Sequence, residues 1–303
     1  MRKPFSIHSF EELELSGYVW QETTDDQVKG VVVIAHGMAE TIERYQVFAE
    51  QMTKSGYVVY GINQRGHGAN AEMLGYLGED GWYKMKEDLK NVVELVKTVY
   101  IGKPVFVFGH SMGSFLTRDF LLDYSYLIDG VILSGTGYYS KLELKLGQWL
   151  SKRDIESHGE RHISTFIDNI AFGRNNKKIK DAKTPFEWLS RDRNIVNAYL
   201  SDPLCGQIHP SSFFYLFFSA LEHILYEGAF SNFKTNLPLL LMSGDMDPVG
   251  NYGKGVVKSA EKYKDIGFDV QLKLYKEGRH EMLNEINRNE VFGDIIAWLD
   301  ARV

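Results

Sequence analysis

Cysteine is almost absent from this chain, with Cys205 the only one in 303 residues. An internal disulfide is thereby excluded, and the composition suits a reducing compartment. Excess positive charge is missing too. Lys and Arg number 34 against 40 Asp and Glu, a formal net charge of −6, which speaks against nucleic acid as a partner because phosphate binding rests on clustered positive surface. No apolar run approaches the roughly 20 residues a spanning helix needs, the nearest being LPLLLM at 237–242. A chain that crosses no membrane is expected. The opening MRKPFSIHSFEELELSGYVW places polar and acidic residues where an export signal would need an unbroken apolar stretch. We therefore expect a cytoplasmic location, at most peripheral to a membrane. No zinc-ligand spacing and no G-x-x-x-x-G-K-[ST] loop occurs, so no metal is expected.

What is present is an ordinary globular composition, 44% hydrophobic and 24% charged, which excludes disorder and fibrous architectures. Strand-like and helix-like segments alternate over most of the length, the pattern of a parallel sheet with helices on both faces. GVVVIAHG at 30–37 is the first clear strand, its continuous apolar character suiting burial on both sides. A helix is read over 42–55, YVVYGIN as a second strand, QRGHGAN as a glycine-rich loop and 82–99 as a one-faced helix. VFVFG and GVILSG supply the third and fourth strands. The rhythm then breaks between about 138 and 210 and returns with LPLLLMSG, a helix near 253–265, the strand FDVQLKLY and a last helix ending in VFGDIIAWLD. The expected organisation is a mostly parallel α/β core over residues 1–137 and 211–303, with 138–210 inserted as a mainly helical cap.

The chemistry is concentrated where VFVFG runs into HSMGS. Gly109, Ser111 and Gly113 fit G-x-S-x-G, a sharp strand-to-helix turn that displays a nucleophilic hydroxyl above a sheet. Glycine is needed on steric grounds, since a β-carbon on either neighbour would collide across so tight a bend. A neutral serine hydroxyl needs a base. On this kind of turn the partners follow in the order serine, acid, histidine, and of nine histidines only His280 lies beyond the last acid-bearing strand. The acid is Asp245 or Asp247 in SGDMDPVG. Asp247 is favoured because Pro248 holds its predecessor extended and ends the strand at the carboxyl edge, where open α/β sheets build their sites. Backbone amides of Met112, just after the serine, and Met38, in the turn HGMAE, are the expected oxyanion donors. The ring of His36 in that turn reads as structural.

With these motifs in hand, the chain resembles α/β-hydrolases of the monoacylglycerol lipase and lysophospholipase group over almost its whole length. The matching stretches are HGMAETIERY, RGHGAN, GHSMGS, SDPLCG, SGDMDPV and GRHEMLNE, in that group's order. One departure is Thr41, where the group often carries a histidine. The resemblance implies the α/β-hydrolase fold, triad positions at Ser111, Asp247 and His280, and oxyanion positions at Met38 and Met112. It also implies hydrolysis of carboxylic esters through an acyl-enzyme, on a small-molecule acyl ester such as a monoacylglycerol or lysophospholipid. A thioesterase, a peptidase, or a ligand-binding receptor with little turnover are the alternatives on the same fold. A complete acyl-transfer apparatus needs no organic cofactor.

Two features of the cap region bear on substrate. Leu142, Leu146, Trp149 and Leu150 share one helical face beside Lys141, Lys145, Lys152 and Arg153. The expectation is that this apolar face packs on the core, with transient contact to a membrane surface as the second reading. The run RNNKKIK is expected as wet surface. SSFFYLFFSA at 211–220 is read equally as core or as the lining of an acyl tunnel. Oligomeric state leaves no signal in the sequence.

Overall fold

Strands of this chain that read as continuous apolar runs are those buried on both faces. In the computed structural model, which describes residues 1–180, 182–230 and 234–303, an eight-stranded sheet forms the centre. Its strands are β1 (Arg2–His8), β2 (Glu14–Trp20), β3 (Gly30–Ala35), β4 (Tyr57–Ile62), β5 (Val105–His110), β6 (Gly130–Ser134), β7 (Pro238–Gly244) and β8 (Asp269–Tyr275), in the spatial order β1-β2-β4-β3-β5-β6-β7-β8. From β4 to β8 all neighbours are parallel. Every residue of β3, β4, β5 and β6 is buried.

Alternation along these strands feeds two separate cores. Val31, Val33, Val105 and Val107 face one side, where helices α2 (Gly81–Val99), α3 (Met112–Tyr124) and α8 (Lys254–Ile266) supply Met85, Leu89, Phe115 and Val256. Val32, Ile34, Phe106 and Phe108 face the other, against Phe48 and Met52 of α1 (Gln46–Lys54) and Ile295 and Trp298 of α9 (Arg288–Asp300). Phe106 and Phe108 are fully buried, and truncating such a ring to alanine costs about 3–5 kcal/mol. The helix expected over 42–55 opens as a 3₁₀ turn, Ile42–Tyr45, before α1 begins.

The sequence reading did not foresee the antiparallel pair β1 and β2 at the sheet edge. The burial of β1 is slight, so its composition carries little apolar signal. Gly17 makes the join, since a β-carbon there would lie 2.0 Å from the carbonyl oxygen of Gly61 on β4.

Between β6 and β7 lie α4 (Lys141–His158), α5 (Thr165–Phe172), α6 (Arg193–Ser201) and α7 (Ser211–Glu222). The only pairing of extended backbone among the described residues there is the bridge between Ile163 and Pro210. A capping box at Ser140 and Glu143 starts α4. The face of α4 that packs is Leu144, Gly147 and Ser151, not the expected leucine and tryptophan face. Gly147 lets the Phe218 ring of α7 approach to where a β-carbon would meet it at 2.7 Å. Leu142, Leu146 and Trp149 consequently point outward, 80%, 52% and 55% exposed. No described helix is long and apolar enough to cross a membrane.

Candidate active site

Sheet register gathers the candidate residues at one edge. Ala35 of β3 pairs with Gly109 of β5, His110 with Ser134 of β6, and Ser134 with Met242 of β7. The turns that follow these strands therefore open side by side at their carboxyl ends, the usual place for a site in such sheets.

At the turn after β5, Ser111 has φ 51° and ψ −120°, a conformation that L residues rarely adopt. Its amide is held by the Ser134 carbonyl at 2.9 Å, and its own carbonyl accepts from Ser114 Oγ at 2.6 Å. The fencing glycines are required by contact. A β-carbon on Gly109 would lie 2.5 Å from Thr117 Oγ1, and one on Gly113 would lie 2.0 Å from the Ala35 carbonyl oxygen. Met112 is the first residue of α3, so its amide belongs to the helix end that lacks intrahelical acceptors and favours negative charge.

The acid and the imidazole meet as a pair. Asp247 is fully buried, and its Oδ2 lies 3.0 Å from His280 Nδ1. Ser243 Oγ donates to the same oxygen at 3.2 Å, while the Val249 amide donates to Oδ1 at 2.9 Å. Asp245 faces elsewhere, accepting the Glu277 amide at 2.7 Å. Burial pulls the His280 ring toward its neutral form, but the Asp247 charge and hydrogen bond, with Glu281 and Glu40 beyond, outweigh it and raise its pKa above the ordinary value. His280 and Ser111 line the same cavity, with no hydrogen bond between them among the described residues. The rings of His110 and Trp188 flank the imidazole, each centroid at 4.8 Å.

The turn after β3 is braced by buried neutral histidines. His36 Nδ1 lies 2.7 Å from the Gly37 carbonyl and Nε2 accepts the Gln64 amide at 2.9 Å. Burial pushes its pKa down to about 4, which fits the structural role read for it. The Ala39 amide donates to His67 Nε2 at 3.3 Å, and Met38 between them lines the cavity.

That cavity has a volume of about 490 Å³. Apolar rings of Phe115, Tyr139, Phe172, Phe186, Trp188 and Phe217 supply much of its wall, and Asp168, Asn169, Asn176, Gln207 and His209 add polar groups. Within SSFFYLFFSA only Phe217 reaches the cavity, whereas Phe213 and Phe214 are buried in the core. Asn176 likewise turns inward from the RNNKKIK run, whose lysines are exposed as expected; Asp181, just beyond that run, is outside the described residues.

Sequence reasoning missed the contribution of the inserted segment to the histidine loop. The His280 amide donates to the Trp188 carbonyl at 3.2 Å and the Glu281 amide to that of Leu189 at 2.8 Å. Arg279 Nη1 reaches the Glu187 and Ser190 carbonyls at 2.6 and 2.9 Å. Nothing in local sequence joins segments some 90 residues apart. For a metal, the grouping found among the described residues is Asp154 and His158 on α4 with His162 in the loop that follows, outside the cavity wall. There one carboxylate already satisfies both imidazoles, at 3.1 and 2.8 Å.

Comparison with known proteins agrees with this architecture. Residues 26–287 match the Hydrolase_4 family, described as serine aminopeptidase, S33. The monoacylglycerol lipase of Mycolicibacterium smegmatis is 27% identical over 286 residues, covering 93% of this chain and 91% of that protein. The monoglyceride lipase of Rattus norvegicus is 24% identical, covering 91% and 84%. Among solved structures, a thermostable carboxyl esterase from Bacillus coagulans in complex with glycerol superposes with a TM-score of 0.89 at 26% identity, over 99% of this chain and 98% of that one. A soluble variant of the Saccharomyces cerevisiae monoglyceride lipase, at 22% identity and TM-score 0.75 over 97% and 94%, shares the fold. The chain belongs to the Hydrolase_4 family: it has the α/β-hydrolase fold and is a carboxylic ester hydrolase.

Proposed function

We propose that this enzyme hydrolyses monoacylglycerol- or lysophospholipid-type esters through an acyl-enzyme on Ser111, with residues 138–210 acting as a cap over the acyl pocket. The observation that carries the reading is the buried Asp247–His280 pair, whose imidazole lines the same cavity as Ser111. In this reading His280 Nε2 takes the Ser111 proton as Oγ attacks the ester carbonyl, while Asp247 holds Nδ1–H and steadies the imidazolium. The Met38 and Met112 amides receive the oxyanion. Collapse of the tetrahedral intermediate breaks the ester C–O bond, and the imidazolium returns its proton to the departing alcohol. Water then repeats the sequence, leaving the free acid and the serine.

Carboxylates at the cavity bear on the peptidase alternative. Glu40 and Glu281 are both engaged by Arg44. Asp168 is raised by burial, an environment that resists the charge needed to hold a free amino terminus. The apolar wall suits an acyl chain instead.

The outward face of the inserted helices supports peripheral membrane contact. Leu142, Leu146 and Trp149 on α4 and Phe166 and Ile170 on α5 are all more than half exposed. Lys152 and Arg153 lie alongside, whereas Lys145 is drawn to Glu222 at 2.8 Å. Such a face fits the headgroup boundary of a lipid surface, where the ester substrates reside.

A substrate panel tests the reading. Nitrophenyl esters from acetyl to long chains, a monoacylglycerol, a lysophospholipid, an acyl thioester and an aminoacyl anilide are compared by kcat/KM. Medium or long oxygen esters should lead, with Ser111→Ala inactive toward all. Preference for the anilide, or acetyl esters far ahead of longer ones, would contradict it.

A further inference from the structure

Arg44 lies in the 3₁₀ turn Ile42–Tyr45 that follows β3 and belongs to none of the groups assigned above. We propose that Arg44 is a positioning residue that clamps the oxyanion turn to the histidine loop, and that the two carboxylates it holds keep one uncompensated negative charge beside His280. The proposal rests on the roles given to Ser111, Asp247 and His280 above.

The geometry is a buried fork. Arg44 Nη1 donates to Glu40 Oε2 and to Glu281 Oε1, and Nη2 donates to Glu281 Oε2, all at 2.6 Å. Each side chain is nearly closed to solvent, with 12% exposure for Arg44, 4% for Glu40 and 5% for Glu281. The planar fork of a guanidinium suits it to grip one carboxylate with two donors while giving a third bond to another. Glu40 passes the constraint to the oxyanion turn, since its Oε1 accepts the Gly37 amide at 2.5 Å and the Tyr45 hydroxyl at 2.8 Å. Glu281 passes it to the histidine loop, being the residue next to His280 and accepting from Asn284 Nδ2 at 3.0 Å. The ring of Tyr199 on α6 closes over the guanidinium at 4.8 Å. One side chain thus joins the two turns that must keep their spacing through catalysis, although they stand 237 residues apart in the chain.

Charge counting gives the second part. Two carboxylates against one guanidinium leave a net −1, and burial lets it act over a distance that water would screen. Burial alone would raise the Glu281 acid, but the Arg44 charge outweighs it and takes the pKa down to about 2, so this carboxylate is ionised throughout the working range. The groups facing the imidazole are Asp247 from the turn after β7, His110 from the end of β5, Trp188 from the inserted segment, and Glu281 and Glu40 with Arg44 between them. His110 is pushed down to about 4, first by burial, and adds no charge at neutral pH. Both carboxylates favour the imidazolium that forms when Ser111 gives up its proton.

The sign follows. The base works when neutral, so activity rises with pH through the His280 pKa, and removing the Glu281 charge lowers that pKa. Glu281→Gln keeps the shape and an oxygen for Arg44, and should move the acid limb of kcat/KM to lower pH by about half a unit or more. It should also reduce kcat by about tenfold, with KM within about twofold, because the loss falls on the transition state. Arg44→Met should cut kcat by about ten- to a hundredfold through lost registration, with Arg44→Lys recovering part of it. The measurements are full pH–rate profiles and thermal melts for the wild type and the three variants, beside fluorophosphonate labelling of the wild type. An acid limb and kcat unchanged in Glu281→Gln, with a lowered melting temperature only, would make the cluster purely structural and overturn the proposal. If Arg44→Met does not fold, Glu281→Gln decides alone. Failure of the wild type to label would instead remove the underlying assignment of Ser111 and this proposal with it.

Discussion

The sheet edge and the inserted helices obey the same hydrophobic bookkeeping with opposite results. At the edge, apolar residues of β3 and β5 are buried on both faces, and the turns that follow are forced by contacts as short as the 2.0 Å that would separate a Gly113 β-carbon from Ala35. On α4 the most apolar face is turned outward, and the buried face is the small-residue line of Leu144, Gly147 and Ser151. Apolar periodicity therefore does not by itself locate the packed side of α4: close approach to Phe218 selects the narrow side, and the wide apolar side is left exposed.

The largest effect is expected at the carboxyl ends of the strands. Asp247→Asn should lower kcat/KM by about a thousand- to ten-thousandfold through loss of the imidazole tautomer, whereas Asp245→Asn, whose oxygen only accepts the Glu277 amide, should stay within about tenfold of wild type. Ester kinetics on the two purified variants measure this, and equal losses would mean that the acid was misassigned. The inserted helices should respond in another quantity altogether. Leu142→Glu combined with Trp149→Glu should reduce co-sedimentation with anionic vesicles about tenfold or more, while hydrolysis of a soluble short ester changes less than about twofold. Unchanged sedimentation would return the exposed face to plain solvent.

Legibility followed the same division. The buried strands, the helices on them, and the serine turn were readable because a local pattern of two or three or four residues carries their whole physical cause. Pro248, by constraining its neighbour, favours Asp247 over Asp245 in the sequence, and of the two Asp247 is the one that hydrogen-bonds the His280 ring. The β1 and β2 edge was not readable, since an edge strand with slight burial leaves little alternation. Nor was the packing side of α4, which depends on Gly147 meeting Phe218 from another helix. The SSFFYLFFSA segment divided between both expectations, because successive aromatics on one helix point in different directions and only Phe217 reaches the cavity. Glu40 and Arg44 lie in HGMAETIERY and Glu281 in GRHEMLNE, yet their meeting requires the fold.

Peptide mapping after brief exposure to a fluorophosphonate at neutral pH identifies the nucleophile outright. One adduct is expected, on the peptide containing Ser111, formed rapidly in the wild type and at least about a hundredfold more slowly in His280→Ala. An adduct on a different serine, or labelling of Ser111 indifferent to His280, would contradict it.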